Sequence, residues 1–288
     1  MIRRYIFVIL ILLVGFFLLL ILHLIVFTDK RLHIVFCDVG QGDAVLLRSP
    51  SGIVFLVDGG PDESVEECLA AHLPFWERTL TMLLLTHPHA DHYVGMLGVL
   101  DRYRVLGFAT ENLQNDTVLY RALSARLIEK RIAIRTLLKG DTFRLPDGVV
   151  LTVLGPSNVY LEKTSPGGQI GERSEFASLV LRIEYGDFSL LLTGDSQVSG
   201  IEEALVGMKY PAIDVLHVPH HGSKTGLNAS VLERLRPKVA VISVGKNSYG
   251  HPSRVITDLL KQRGVKTLET EKDGAVEIVT EGKSFEVR

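Results

Sequence analysis

Three histidines and an aspartate follow an apolar run within six residues, and this cluster constrains the fold more than any other feature of the sequence. The run Met82–Leu85 suits a buried strand, so the cluster lies in the turn at a strand's carboxyl end, where open α/β sheets place their sites. Imidazole and carboxylate ligands suit zinc, manganese or iron. We expect the first two side chains to point at one metal ion and the last two at a second; solvated histidines in a polar turn are the alternative. The cluster consists of His87, His89, Asp91 and His92.

Two later strands end in residues of the same kind. The apolar run Leu190–Leu192 leads through Thr-Gly to Asp195, whose two carboxylate oxygens suit a bridge between ions about 3.5–4 Å apart. Standing alone, that segment would be an ordinary Gly-Asp turn. The strand Asp214–Val218 leads to His220 and His221, and the spacing does not decide between them. The position directly after the strand-ending proline favours His220 as the ligand, with His221 next to the substrate.

Further residues are candidates for the surroundings of the ions. His251 precedes a proline at a predicted helix start, where it could donate to a substrate oxyanion or protonate a leaving group; an ordinary surface histidine is the equal alternative. Asp58 follows a strand and is expected to orient a ligand histidine rather than to bind an ion. Lys224 and Lys246 could steer a phosphate, or could simply be solvated. The remaining candidates for ligand or substrate contact are Asp43, Ser223 and Tyr249.

The sequence predicts that the N-terminal segment is a unit separate from the rest of the chain. Tyr5–Thr28 carries no charge, and the 22 residues Ile6–Phe27 are almost entirely apolar. At about 1.5 Å per residue, a helix of that length spans the roughly 30 Å of a bilayer's hydrocarbon. No small-residue cleavage site follows, so we prefer a permanent anchor to a signal peptide, and a stripe apolar on every face disfavours a buried helix. The expected division is a membrane anchor at 1–30 and one further domain at 31–288.

The orientation of this anchor is poorly determined by charge. Basic pairs flank the span on both sides, Arg3–Arg4 before it and Lys30–Arg31 after it. A short N-terminal anchor that begins with Arg-Arg usually keeps its N-terminus in the cytoplasm. No second span follows, and we therefore expect residues 32–288 to lie outside.

Charge and cysteine content narrow the function further. The formal net charge is −2, which excludes a generally basic nucleic-acid binder, so any contact with nucleic acid must be local or mediated by metal. The two cysteines do not indicate a disulfide framework. Cys37 falls in a predicted strand, and we expect it to be a buried thiol.

Short apolar runs alternate with helical patterns along the rest of the chain, which favours a layered α/β architecture. The segment 157–173 is rich in Gly, Ser and Pro and is predicted to be a surface loop. The predicted strands are 32–37, 44–48, 53–57, 81–85, 105–109, 132–137, 149–154, 178–185, 188–193, 214–218, 239–244, 265–269 and 275–279. The predicted helices are 63–72, 93–103, 118–130, 198–206, 229–235 and 253–263.

Taken together, these segments resemble the metallo-β-lactamase superfamily over residues 32–279, and more closely the hydrolase domain of ComEC-type DNA-uptake proteins. The resemblance implies an αββα sandwich with two divalent metal ions at one edge, zinc or manganese with iron as a further option. It implies hydrolysis of a phosphodiester in DNA by a metal-activated water, with Asp91 and His251 as catalytic residues and the DNA-uptake machinery as a partner. The alternatives are an envelope hydrolase of small phosphoesters or lactones and a binding module without catalysis. The segments that carry the closer resemblance are Asp38–Ala44, Leu56–Gly60, Leu192–Asp195, His220–Ser223 and Tyr249–Pro252.

The sequence departs from these relatives in two ways. Many members of the superfamily carry one more ligand histidine before the strand that leads to Asp195, but residues 173–178 contain none. One ion would then be held more loosely, or its site would be completed by water or by Glu175. The DNA-uptake proteins also carry this domain on a polytopic channel, whereas one anchor is expected here. The resemblance therefore implies a stand-alone hydrolase at a membrane rather than DNA transport.

Overall fold

A computed structural model describes residues 2–27, 29–170, 177–208 and 212–288. The N-terminal helix α1 (Ile2–Phe27) is followed by a domain of two packed sheets. Over Arg3–Ile21 this helix is long and apolar enough to cross a membrane, and none of that stretch is buried inside the protein.

The first sheet has eight strands, and it contains the run that precedes the histidine cluster. Its strand order is β17-β16-β1-β2-β3-β5-β7-β8. The strands β3, β5 and β7 are parallel to one another, while β1 pairs antiparallel with both β2 and β16. Its strands are β1 (Leu32–Phe36), β2 (Val45–Arg48), β3 (Val54–Val57), β5 (Met82–Leu85), β7 (Gly107–Thr110), β8 (Ala133–Thr136), β16 (Val276–Thr280) and β17 (Phe285–Val287). A small parallel pair, β4 (Thr79–Leu80) and β6 (Arg104–Val105), precedes β5 and β7.

The second sheet has seven strands in the order β15-β14-β13-β12-β11-β10-β9. The strands β12, β13, β14 and β15 run parallel, so their carboxyl ends meet at one edge. Its strands are β9 (Thr142–Arg144), β10 (Val150–Gly155), β11 (Val180–Tyr185), β12 (Phe188–Leu192), β13 (Val215–His217), β14 (Val239–Ile242) and β15 (Lys266–Glu269).

Helices cover the outer faces of both sheets. Against the first sheet lie α2 (Ser64–His72), α3 (Ala90–Arg102) and α4 (Val118–Glu129), and against the second lie α6 (Val198–Ala204), α7 (Ala229–Leu235) and α8 (Arg254–Gln262). Two short helices, α5 (Asn158–Thr164) and α9 (Thr270–Asp273), lie in connections.

Alternation along each strand divides the apolar residues between three cores. Ile34 of the first sheet and Leu190 of the second pack between the sheets, while their neighbours Val35 and Leu191 face the helices. Strands covered on both faces read as continuous apolar runs, and the sequence shows such runs. The αββα sandwich expected from the sequence is therefore confirmed.

Two expectations about the chain are wrong. The segment 157–173 is not a loop throughout, because α5 forms within it; the Ser157 hydroxyl accepts a hydrogen bond from the Tyr160 amide and starts the helix. Cys37 is not a thiol, because it forms a disulfide with Cys68. The packing of α2 against β1 brings together two cysteines that are 31 residues apart in the chain.

Candidate metal centre

The candidate site lies where the carboxyl ends of parallel strands from both sheets meet. After β5 the chain turns so that the His89 amide donates to the His87 carbonyl, with 2.9 Å between nitrogen and oxygen. His89 then occupies the N-cap position of α3 in an extended conformation. Asp91 and His92 therefore fall in the first helical turn, where a carboxylate is favoured by the helix dipole. The His92 ring lies next to that of His87, with centroids 4.2 Å apart, and each faces a different oxygen of Asp195.

Three residues form one group of potential ligands. His87 Nε2 lies 2.9 Å from His89 Nδ1 and 3.8 Å from Asp195 Oδ2. Burial lowers the pKa of the His87 imidazole well below its usual value. The ring is therefore neutral, which is the form that binds a metal ion.

Four residues form a second group. His92 Nε2 lies 3.3 Å from Asp195 Oδ1 and 3.9 Å from Asp91 Oδ1. His221 Nε2 lies 3.5 Å from Asp195 Oδ1 and 3.4 Å from Asp91 Oδ2. The potential ligand atoms of this group all lie within 4.8 Å of one another.

Asp195 belongs to both groups, and its two oxygens face different ones. Oδ1 faces the second group, through His92 and His221, whereas Oδ2 faces His87 of the first. Gly194 makes this placement possible in two ways. Its φ of +46° is a left-handed conformation that favours glycine, and a Cβ at this position would lie only 2.3 Å from the Ser178 hydroxyl oxygen. A carboxylate placed in this way can bridge two cations.

The polar atoms at the centre of this arrangement fit cations. His92 Nε2, His221 Nε2 and Asp195 Oδ1 are buried, and none has a hydrogen-bond partner among the described residues. Buried polar atoms are normally paired, so convergent unpaired nitrogens and carboxylate oxygens indicate an ion. Histidine and carboxylate without thiolate suit zinc, manganese or iron, and the set does not choose among them.

The electrostatics of the second group agree with cation binding. Burial alone would lower the pKa of His92 and His221, but nearby carboxylates, first of all Asp195, raise both pKa values well above the usual range. Burial alone would raise the pKa of Asp195, but His221 and His92 hold it well below its usual range. The acids thus stabilise positive charge at this point, which a divalent cation can supply in place of protons.

Two further contacts fix the orientation of the ligand histidines. Asp58 accepts hydrogen bonds from the Thr86 amide at 2.8 Å and the Thr86 hydroxyl at 2.7 Å, and its Oδ2 lies 2.9 Å from His92 Nδ1. That contact leaves Nε2 of His92 directed at Asp195. His221 Nδ1 donates to the Ser243 carbonyl at 2.9 Å, which leaves its Nε2 free for the same point. Such partners set the tautomer and the ring orientation of a ligand histidine.

Comparison with known proteins agrees with this fold. Residues 37–118 match the family described as the metallo-beta-lactamase superfamily. ComE operon protein 3 of Bacillus subtilis (strain 168) is 30% identical over 268 residues, covering 83% of this chain. The metallo-beta-lactamase fold protein YhfI from Bacillus subtilis shares the fold, with a TM-score of 0.57 at 13% identity, covering 85% of this chain and 99% of YhfI.

The chain belongs to the metallo-β-lactamase superfamily. It has the metallo-β-lactamase fold, and competence proteins are among its relatives. Competence protein ComA of Neisseria gonorrhoeae is 39% identical over 104 residues, covering 35% of this chain and 15% of that protein. The chain itself spans only 32% of the length of ComE operon protein 3.

The structure exchanges the roles that the sequence suggested for His220 and His221. His221 is 3% exposed and lies in the second group, whereas His220 is farther out, with Nε2 3.7 Å from Asp195 Oδ2. The geometry thus favours His221 as the ligand, and puts His220 beside the first group. Both residues have left-handed backbones, with φ 52°, which turns the two rings to different sides. Non-glycine residues adopt this conformation rarely, and it persists where the surroundings enforce it.

Three other predicted residues, Asp43, His251 and Ser223, lie around the two groups of potential ligands. Asp43 is buried behind the second group, with Oδ1 3.4 Å from His221 Nδ1 and 3.5 Å from His217 Nε2. The His251 ring centroid is 5.5 Å from that of His220, at the rim. Ser223 is buried and its hydroxyl oxygen is 3.1 Å from that of Thr225.

The rim also contains a cleft next to the ligands. A cleft of about 470 Å³ is lined by Asp91, Lys246 and Tyr249, among other residues. Lys224 lines a different cavity, between α7 and α8, so the structure does not bring it to this cleft. Glu175 lies outside the described residues, as do most of residues 173–178.

Glu111 is a buried acid near the site that the sequence pattern did not single out. It follows β7, is 1% exposed, and accepts a hydrogen bond from the Thr110 hydroxyl at 2.9 Å. Its other carboxylate oxygen has no hydrogen-bond partner among the described residues. Burial raises the pKa of Glu111 well above its usual value. An acidic residue that follows a buried strand in a site-bearing sheet is the only local signal that could have found it.

We expect Glu111→Gln to be more stable than the wild type at alkaline pH. An acid with a raised pKa in the fold binds more protons folded than unfolded, so stability falls as pH rises from its unfolded value towards its folded pKa. Glutamine removes that loss, and the advantage grows by about 1.4 kcal/mol per pH unit inside this window. Thermal unfolding at a series of pH values measures it, with the exposed Glu129→Gln as control. Parallel pH profiles for Glu111→Gln and the wild type would refute the prediction.

Proposed function

We propose that the chain is a metal-dependent phosphodiesterase that cleaves DNA at the outer face of a membrane. The observation that carries the proposal is the position of Asp195, whose two oxygens face separate groups of imidazole nitrogens. Two-metal sites of this kind occur in phosphatases and nucleases, where both the attacking and the leaving oxygen need stabilisation. The resemblance to competence proteins supports DNA as the substrate.

In this proposal the residues around the site have separate roles in binding metal ions and orienting the ligands. A bound pair of divalent cations would supply a water acidic enough to act as a nucleophile at neutral pH and would neutralise charge on the phosphoryl oxygens. Asp58 and Ser243 hold the His92 and His221 rings in the orientation that binding requires. Asp91 is the most open acid of the set, with 34% of its side chain exposed, and it faces both the ligands and the cleft.

We assign the movement of a proton to His251. Its Nδ1 is buried and has no hydrogen-bond partner among the described residues, and its ring lies between the His220 ring and that of Tyr249. The Asn247 side chain fixes this turn by donating to the His251 carbonyl at 2.8 Å and accepting from the His251 amide at 3.0 Å. A rigidly held imidazole at the rim suits protonation of the leaving oxygen.

The anchor and the domain division belong to the same proposal. Residues 1–30 would form a single-pass membrane anchor, and residues 31–288 would form the hydrolase domain on its outer side. The Cys37–Cys68 disulfide supports that side, because disulfides persist in oxidising compartments. The DNA-uptake machinery is the proposed partner, since competence proteins are relatives.

A substrate panel tests the proposed function. The purified chain, supplied with manganese or zinc, is incubated with labelled single-stranded and double-stranded oligonucleotides, bis-(4-nitrophenyl) phosphate, a lactone and a β-lactam. We expect cleavage of the single-stranded oligonucleotide, and complete loss of that cleavage with a chelator. Turnover of the lactone or the small phosphoester without any cleavage of DNA would replace the proposal by an envelope hydrolase of small molecules.

A second experiment examines how DNA contacts the rim. Tyr249 is 76% exposed, but its amide donates to the Asn247 side chain at 3.1 Å, so the aromatic ring is presented from a fixed turn. Stacking on a base suits such a ring. We expect Tyr249→Ala to cleave a single-stranded oligonucleotide about tenfold more slowly. Tyr249→Phe should retain the wild-type rate.

An abasic substrate is the matched control for this prediction. An oligonucleotide with abasic sites keeps the phosphodiesters but removes the bases. The wild type should cleave it about as slowly as Tyr249→Ala cleaves the normal strand. If the wild type cleaves both substrates equally fast, stacking on Tyr249 is wrong while the nuclease proposal stands.

A further inference from the structure

We propose that one end of the first sheet rests on the membrane surface through a small aromatic and basic patch. The inference goes beyond hydrolysis and rests on the proposed anchor alone. We call this surface the Trp76 patch, defined as Phe75, Trp76, Arg78, Arg104 and Leu106.

Chain connectivity fixes which end of the domain is near the membrane. Four residues separate the end of α1 at Phe27 from the first residue of β1, Leu32, so their Cα atoms are five peptide units apart. An extended chain of that length reaches at most about 17 Å. Leu32 must therefore lie within that distance of the point where the apolar helix ends.

Contacts of Asp29 hold this junction against the domain. Asp29 Oδ1 lies 2.8 Å from His33 Nε2, and Arg31 Nε donates to Asp29 Oδ2 at 2.8 Å. Arg48, at the end of β2, has a nitrogen 3.8 Å from Asp29 Oδ1. The exit of the anchor is thus held by several polar contacts, and the start of β1 is fixed relative to it.

Strand register places the Trp76 patch at the same end. His33 pairs with Arg48, Arg48 with Val54, and Phe55 with Met82, so the starts of β1, β3 and β5 share one end of the sheet. The pair β4 and β6 extends β5 and β7 beyond that end, and Trp76 lies just before β4.

The position of His72 independently places the Trp76 patch near the exit of the anchor. His72, the last residue of α2, lies close enough to Glu277 and His33 for their charges to act on its pKa, which burial lowers. His33 is itself in contact with Asp29. Phe75 follows His72 by three residues. The loop that carries Phe75 and Trp76 therefore leaves α2 beside the exit of the anchor.

The composition of the patch suits a bilayer surface. Phe75 is 64% exposed, Trp76 42% and Leu106 47%, and the two aromatic rings pack edge to face with centroids 4.9 Å apart. Arg78 and Arg104 are exposed, and the Arg104 amide donates to the Arg78 carbonyl at 2.8 Å. Tryptophan favours the depth of the headgroups, and arginine is attracted to anionic lipids.

The contact is confined to the part of the first sheet next to β4 and β6. Asp147 and Asp187 lie in turns of the second sheet, and Glu281 lies beside Asp187 in the β16–β17 turn of the first sheet, so anionic headgroups would repel this side of the end. Glu77, in the loop of the patch itself, is half-buried and accepts a hydrogen bond from the Thr79 amide at 2.8 Å. If the domain rests on the membrane through the Trp76 patch, the opposite end of the first sheet faces outward. The ligand residues follow the carboxyl ends of the strands, so the metal centre would open away from the membrane, one strand length from it.

The single tryptophan of the chain gives a direct test, because its fluorescence reports on Trp76 alone. The full chain is reconstituted into vesicles of phosphatidylcholine and phosphatidylglycerol, with and without brominated acyl chains. The control Trp76→Phe/Tyr249→Trp moves the only tryptophan to the rim of the metal centre. We expect brominated lipid to quench Trp76 emission by about half and to leave the control emission nearly unchanged.

The possible outcomes distinguish the Trp76 patch from the membrane anchor. Equal quenching of Trp76 and of the control, or none of either, in a chain retained by the vesicles would overturn the patch and leave the anchor standing. A chain that alkaline washing strips from the vesicles would overturn the anchor and the patch together. Neither result affects the cleavage of oligonucleotides by the chain in solution. Protection of Trp76 by a second copy or by another protein would appear as emission insensitive to brominated lipid.

Discussion

Replacing Asp195 with asparagine is expected to lower phosphodiester cleavage by at least about 10³-fold. Asparagine keeps the shape of the side chain but removes its charge and one of its two metal-binding oxygens. Both groups of imidazoles lose the carboxylate that they share, because Oδ1 faces His92 and His221 while Oδ2 faces His87. We also expect the number of tightly bound divalent ions to fall. Initial rates on a labelled oligonucleotide and metal analysis after gel filtration measure the two effects.

A matched variant separates this effect from a general effect of charge. Asp187 precedes β12, whereas Asp195 follows it, so Asp187→Asn makes the same chemical change at the far end of the same strand. Asp187 is exposed, and its substitution should leave both the rate and the metal content unchanged. A wild-type rate in the Asp195→Asn variant, with the metal content also intact, would show that the carboxylate does not carry the chemistry.

Removing the disulfide is expected to have the second large effect, this time on stability. The Cys37–Cys68 bond closes a segment with a sequence separation of 31 residues and joins β1 to α2. In the chain-entropy description, closing a loop of this size lowers the entropy of the unfolded chain enough to contribute about 3–4 kcal/mol. The variant Cys37→Ala/Cys68→Ala should therefore unfold about 10 °C below the wild type.

Reduction of the wild type is the control for this variant. Dithiothreitol should bring the unfolding temperature of the wild type close to that of the double variant and should not change the double variant. Thermal unfolding followed by near-ultraviolet circular dichroism measures all four states. An oxidised wild type with the same unfolding temperature as the double variant would show that the bond contributes nothing.

Much of the architecture could be predicted because it is encoded locally. Apolar runs that end in polar turns identify most strands, and strands buried on both faces leave continuous runs in the sequence. The ligand candidates were recognisable for the same reason. His87 follows β5 and Asp195 follows β12, and carboxyl ends of parallel strands from two sheets meet at one edge.

The choice between neighbouring side chains could not be predicted. His220 and His221 follow the same strand and are chemically identical. Both have a left-handed backbone, and what distinguishes them is the carbonyl of Ser243, which lies 22 residues from His221 in the chain and accepts a hydrogen bond from its Nδ1. Spacing along the sequence carries no information about either contact.

Contacts between distant segments explain the other differences. The disulfide depends on α2 packing next to the end of β1, which the sequence around neither cysteine reveals. The burial of Glu111 depends on the helices that cover the first sheet, and a carboxylate after a strand ordinarily suggests a solvated turn. The short helix α5 has one buried residue, Leu161, so its apolar pattern is too weak to be read.

The central claim is that imidazoles and acids from three distant turns hold a pair of cations on the two sides of one carboxylate. The most direct measurement is an anomalous difference map from crystals of the protein grown with manganese, recorded above and below the metal's absorption edge. We expect two peaks about 3.5–4 Å apart, one near His87 and the other near His221, with Asp195 between them. A map without peaks at Asp195, from crystals in which these side chains point away from one another, would contradict the account.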